Sequence, residues 1–260
     1  MKKLLVLAIS ALIIASGMLT GCSNNGKNQG GEVINQGGEV INQGGEVINQ
    51  GGEVINEGDK GLKRLTDCLS STKDIDSMEV NSTSISKVNE QSSTSKTNMK
   101  FEGIKNGMKS LVTVETSGQT IEYYVALDNG KAKMYMKDQS GKYSVNEINQ
   151  DQVGNMDTKK SINAYIDVIE NNSDMVSKID KDTYELNIPK EKSSEIYSKI
   201  LGQDITMSFD TLKIGFVIGG DGYLKNMTLK AKIESDSIDV EVNTDYFNYN
   251  KKFNIVLPEV

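Results

Sequence analysis

Residues 59–260 predict an α+β domain dominated by antiparallel sheet, on three observations. Short runs of alternating apolar and polar residues recur between turns bearing glycine or asparagine, as half-buried strands require. Two blocks of such runs flank a central stretch whose apolar residues follow the 3.6-residue helical period. Strand and helix do not alternate one by one, which sets aside a parallel, doubly wound architecture.

Leu62, Leu65 and Leu69 stand at helical spacing, so a helix opens the domain. Residues 79–88, 96–105 and 109–116 are rich in β-branched and alternating side chains, with Gly107 and Gly118 where turns are needed. Ile121, Tyr123, Val125 and Leu127 share one face of a strand that ends at Asp128-Asn129-Gly130. Asn-Gly between two such runs marks a tight hairpin, and the return run 131–137 places Ala132, Met134 and Met136 on one face. Residues 143–148 form the next strand, after the Gly141 turn.

Ile162, Tyr165, Ile166 and Ile169 fall at i, i+3, i+4 and i+7 and predict a second helix, with Thr158 or Ser161 to cap it. A short hairpin, 175–179 and 183–188, turns at Asp180-Lys181-Asp182. A third helix spans 189–201 and is ended by Gly202. The C-terminal third returns to strands at 211–218, 223–233, 237–248 and 253–257, the first two joined by Gly219-Gly220-Asp221-Gly222.

The N-terminal region reads differently. Lys2 and Lys3, the apolar run 4–14 and the small residues Ala15, Ser16 and Gly17 have the three-part layout of a secretory signal over residues 1–21. The apolar run is shorter than the roughly 20 residues a membrane span needs. Leu19-Thr20-Gly21-Cys22 resembles the lipobox of bacterial lipoproteins, which implies a diacylglyceryl group on Cys22 and cleavage ahead of it. Two acyl chains suffice for lasting attachment, whereas one is marginal. The expected location is therefore the extracytoplasmic face of the cell membrane, with the membrane engaged through the N-terminal lipid.

Residues 22–58 carry a seven-residue repeat, Q-G-G-E-V-I-N, with Gly-Gly pairs beginning at Gly30, Gly37, Gly44 and Gly51. Paired glycines at that spacing oppose a helix, and the short copies offer too little apolar surface for a solenoid core. The segment reads as a flexible tether with a root-mean-square span of roughly 30–36 Å.

Composition excludes several chemistries. The chain contains no histidine and no tryptophan, which removes histidine-based triads, general bases and metal ligands. Loss of residues 1–21 takes away two lysines and no acid, moving the formal charge from −7 to −9, so nucleic acid is not an expected partner. No catalytic residue, metal site or cofactor is expected. Gly219-Gly220-Asp221-Gly222 does not open a helix, as a phosphate cradle must. Asp180-Lys181-Asp182 lacks the glycine and terminal glutamate of a calcium loop. With Cys22 acylated, Cys68 has no disulfide partner, and its place beside Leu65 and Leu69 makes it a small buried residue.

What stands out is a soft apolar content. Met99, Met108, Met134, Met136 and Met227 accompany Phe101, Tyr123, Tyr124, Tyr135 and Phe216, and methionine adapts to irregular apolar surfaces, whether a core or a ligand cavity.

The lipobox, the spacer, the order of elements and the ending Tyr249-Asn250, Phe253-x-Ile255, Pro258 together resemble the LolA/LppX-like lipoprotein-carrier superfamily over about residues 60–260. That resemblance implies a strongly curved antiparallel sheet, an unclosed barrel, with helices covering its concave face and an apolar cavity between. It also implies a non-enzymatic carrier or sensor of an acyl-chain ligand. Phe101, Tyr123, Met134, Met136 and Phe216 are the candidate ligand-binding residues. The alternative is a cell-envelope structural or protein-interaction module with a protein partner and no small-molecule ligand.

Overall fold

The computed structural model describes residues 57–128, 131–138, 140–148, 158–202 and 204–260. The signal, Cys22 and the repeat segment up to residue 56 fall outside them, as do Asn129 and Gly130; Glu57 and Gly58, read with the tether, are already helical. Three helices are described, α1 (Glu57–Lys73), α2 (Thr158–Asn171) and α3 (Lys190–Leu201). The strands are β1 (Ser77–Val88), β2 (Gln91–Glu102), β3 (Lys109–Thr116), β4 (Gln119–Asp128), β5 (Lys131–Lys137), β6 (Tyr143–Ile148), β7 (Val176–Lys178), β8 (Thr183–Ile188), β9 (Thr211–Ile218), β10 (Leu224–Ile233) and β11 (Ile238–Phe247).

All eleven strands join one sheet in the order β6-β5-β4-β3-β2-β1-β11-β10-β9-β8-β7. Every neighbouring pair is antiparallel. The N-terminal meander, β1 to β6, and the C-terminal block, β11 back to β7, are zipped together by β1 against β11, from Glu79↔Phe247 to Val88↔Ile238. β6 and β7 are the two edges, and the sheet does not close.

Local chemistry sets the hairpins. Thr116 pairs with Gln119, and the intervening Ser117 and Gly118 both have positive φ, 51° and 76°, as a primed two-residue turn requires. The β1–β2 hairpin is longer than the sequence predicts, because Gln91–Ser95 carry no apolar alternation yet extend the ladder out to Val88↔Gln91.

The predicted last strand, 253–257, is not a strand. Asn248, Asn250 and Asn254 take φ of 57°, 57° and 54°, left-handed values that break an extended run. Nor is a free edge available nearby, since β1 is paired on both sides. The tail is pinned instead by single bonds: Asn250 N–H donates to the Ser77 carbonyl (2.8 Å), and Ile255 N–H to Glu102 Oε2 (2.9 Å).

One face of the sheet is polar. It carries the ion pairs Lys230–Glu241 (3.1 Å) and Lys213–Glu185 (3.3 Å) and the hydrogen bond that Asn98 Nδ2 donates to Asn81 Oδ1 (2.6 Å). The opposite, inner face is apolar and receives the helices. α1 packs on β9 and β10, α3 packs on β8 and β9, and α2 joins α1 to α3. The three described helices thus lie over the C-terminal block, rather than over the whole inner face.

α1 turns Leu65, Cys68 and Leu69 inward; α2 contributes Ile162, Tyr165, Val168 and Ile169; α3 adds Ile196, Tyr197, Ile200 and Leu201. Thr158 and Ser161 both lie within α2, so Ser161 does not cap it. Gly202 ends α3 in the left-handed conformation (φ 65°), where a glycine avoids the Cβ penalty. Arg64 on α1 is paired with Asp182 in the β7–β8 turn.

Candidate functional site

Cross-strand registry places the inner-face side chains in rows, and those rows explain why the interior divides into two apolar clusters. One row runs Leu186, Ile214, Leu229, Val242 across β8, β9, β10 and β11, then continues as Ser84, Ser95 and Thr116 on β1, β2 and β3. It changes from hydrocarbon to hydroxyl where β11 meets β1. Ser82, Ser86, Thr97 and Thr244 share that polar zone, and Ser82 and Thr244 hydroxyls are bonded at 2.9 Å.

On one side of this belt lies the helix-covered core on β7 to β11. On the other lies a second cluster on β1 to β5, containing Met78, Val80, Met99, Phe101, Met108, Val112, Tyr123, Val125, Ala132 and Met134, with Met136 packed against it. Among the described residues, no side chain of α1, α2 or α3 belongs to the second cluster.

The second cluster is itself ordered. Val80, Met99, Val112, Tyr123 and Met136 form one row over β1 to β5, and Met78, Phe101, Ser110, Val125 and Met134 form the next. Met78, Met99, Met108, Met134 and Met136 are thioethers with three rotatable bonds, so this surface can change shape at small cost. The structure therefore brings together four of the five candidate residues, Phe101, Tyr123, Met134 and Met136. Phe216 stands elsewhere, fully buried on β9 in the helix-covered core, with its ring edge-on to Tyr165 (6.0 Å, 83°).

Sequence reasoning left out Met78, Val80, Val112 and Val125 from the candidates, although Met78 and Val80 alternate with polar neighbours, a usable signal. It also left out Ser84 and Thr97, because a buried serine looks in sequence like an exposed one.

A cleft of about 570 Å³ opens at one end of the inner face, between the β9–β10 turn and the residues after β11. That volume lies in the range of small-molecule sites. Tyr223, Tyr246 and Tyr249 line the cleft and also pack against the second cluster, while Lys225 and Lys251 stand at its rim. Tyr223 and Tyr249 rings stack at 4.8 Å with a 32° tilt, and the Tyr249 hydroxyl donates to the Leu224 carbonyl. Burial holds the Tyr123, Tyr246 and Tyr249 phenols above the usual tyrosine range, so all three stay neutral at physiological pH.

The end of α1 fixes this region. Leu224 N–H donates to Thr72 Oγ1 (3.2 Å), and the Thr72 hydroxyl donates to the Cys68 carbonyl (3.0 Å). Cys68 is 3% exposed, and burial, with Asp221 adding to it, pushes its thiol from 9.0 up to about 12. Iodoacetamide at pH 8 should therefore leave Cys68 unmodified in the native protein and alkylate it in urea; rapid native labelling would contradict the burial. The unfolded thiol ionises near 9 and the folded one near 12. Its contribution to stability is thus intact below pH 9 and is lost as pH rises from about 9 to about 12.

Among the described residues there is no group of three or more histidine, cysteine, aspartate or glutamate side chains placed to hold a metal. No helix among them is long and apolar enough to cross a membrane.

No protein-family model matches the sequence, and no curated protein matches it. Several solved structures are similar in shape. LprF from Mycobacterium bovis aligns over 77% of this chain and 96% of its own, at 13% identity and a TM-score of 0.46. The lipoprotein LppX from Mycobacterium tuberculosis aligns over 76% of this chain and 98% of its own, at 11% identity and a TM-score of 0.43. A LolA superfamily protein from Nitrosomonas europaea aligns over 76% and 94%, at 11% identity and a TM-score of 0.33. Each is aligned over nearly its whole length, at an identity too low to transfer any residue's role.

Proposed function

We propose that this protein is a non-enzymatic carrier or sensor of an apolar ligand with an acyl chain, anchored at the extracytoplasmic face of the cell membrane by lipid on Cys22 and set off from it by the repeat of residues 22–58. The observation that supports the ligand is the second cluster: buried side chains rich in methionine and aromatic rings, on half of a sheet whose three described helices lie over the other half. A chain would lie along the rows of β1 to β5, displacing mobile thioethers, with access past Tyr223, Tyr246 and Tyr249. Burial of hydrocarbon at about 25 cal/mol per Å² would supply the affinity without covalent chemistry.

A second reading, an envelope interaction module with no small-molecule ligand, draws on the near-complete burial of Val112 and Val125, at 1% and 0% exposure. Native mass spectrometry of the gently extracted protein separates the two. The carrier reading expects co-purifying lipid in addition to the acyl groups on Cys22. A bare chain that also fails to take up added lipid would leave the interaction module. A mature N-terminus other than Cys22, or one without fatty acid, would remove the anchor.

A further inference from the structure

Four buried side-chain hydroxyls among the described residues lack a hydrogen-bond partner: those of Tyr184 and Tyr197 stand apart in the helix-covered core, whereas Ser84 Oγ and Thr97 Oγ1 stand together on the inner face of β1 and β2. Both are sealed from solvent, in residues 1% and 3% exposed, and neither has a hydrogen-bond partner. They stand on adjacent strands, diagonal to each other, since Ser82 pairs with Thr97 and Ser84 with Ser95. Immediately along the same face begin Val80 and Met99, the first row of the methionine-rich cluster. Buried hydroxyls are almost always satisfied, because water's hydrogen bonds are lost on burial and must be replaced. Two unsatisfied ones, side by side at the end of an apolar track, point to a partner that is not part of the chain.

The charge around them narrows that partner's chemistry. Strand alternation sends the lysines of these two strands, Lys87, Lys96 and Lys100, to the opposite face, so no cation on β1 or β2 meets the hydroxyls. A carboxylate or phosphate there would be a buried charge without a counterion, which is strongly disfavoured. A neutral oxygen function accepts from Ser and Thr hydroxyls at no such cost.

We infer that Ser84 and Thr97 form a polar subsite that receives an uncharged oxygen function, such as an ester carbonyl, of an amphiphile whose hydrocarbon lies on the β1–β5 cluster. This rests on the carrier reading and names the ligand class: neutral acyl esters rather than free fatty acids or phospholipid headgroups at this position.

The test uses the full-length protein and two probes, a long-chain methyl ester with a pyrene tag and the matching pyrene-tagged alkane, titrated against the wild type and the Ser84→Ala/Thr97→Val variant. Two hydrogen bonds predict that the variant binds the ester roughly tenfold more weakly while its affinity for the alkane is unchanged or improved. Deleting the unsatisfied Ser84 hydroxyl and replacing that of Thr97 by a methyl group should leave the fold intact, which urea unfolding checks. Equal change for both probes, or no change for either, would overturn the subsite and leave the carrier reading standing. If the wild type binds neither probe, the carrier reading falls and the subsite with it.

Discussion

Phe216→Ala is expected to lower the unfolding free energy by about 3–5 kcal/mol, the usual cost of emptying a fully buried phenylalanine site in a core that cannot collapse around it. Phe216 has no exposed surface, pairs across the sheet with Tyr184 and Met227, and meets Tyr165 of α2 edge-on. The lost side chain thus uncouples a helix from the sheet as well as leaving a cavity. Urea unfolding followed by circular dichroism reads the effect. In the residual folded protein, acyl-chain binding should be unchanged, because Phe216 lies across the hydroxyl belt from the proposed site. A variant of wild-type stability that has lost its ligand would place the site in the helix-covered core instead.

Met134→Asp should do the reverse. Met134 lies on β5, near the β6 edge, in the row with Phe101 and Val125, and is 9% exposed. One strand from the β6 edge, a carboxylate there is expected to turn toward water in the empty protein. Beneath a bound hydrocarbon it would lose that water, at a cost of several kcal/mol, so affinity for a long-chain probe should fall more than about a hundredfold. Met134→Leu conserves volume and apolarity and should bind as the wild type does. Should Met134→Asp prove unfolded, Met136→Asp, partly buried in the adjacent row, asks the same question. Retention of ligand by a folded aspartate variant would count against the β1–β5 face.

Much of this architecture was legible because its strands obey a simple two-residue period. Residues 211–218 alternate without exception, and the residue bounds of β3, β5, β6 and β9 coincide with those read from sequence. The helices were legible from spacing such as Leu62, Leu65 and Leu69. Errors fell where side chains give no periodic signal. Gln91–Ser95 are all polar, and only pairing with β1 makes them strand. Residues 253–257 look like a strand, but strand needs a free edge, and the asparagines before and within the run adopt left-handed backbone.

The site was legible in part. Phe101, Tyr123, Met134 and Met136 could be chosen as soft and aromatic residues on predicted strands, but periodicity places a residue on a face and does not say which half of that face the helices cover. Phe216 shares its face with the others and is separated from them only by the hydroxyl belt. That belt depends on the registry of β1 against β11, a pairing between strands distant in sequence, from Glu79↔Phe247 to Val88↔Ile238, that no local pattern encodes. For the same reason Ser84 and Thr97 carried no signal until their burial was known.

Photoaffinity labelling tests the ligand face most directly. A long-chain ester bearing an aliphatic diazirine near its tail, activated in the presence of the protein and mapped by peptide mass spectrometry, should mark β1 to β5, at residues such as Met78, Met99, Tyr123 and Met134, and should be displaced by unlabelled ester. Label concentrated on α1 to α3 or on β7 to β11, or label that excess ester does not displace, would contradict the assignment.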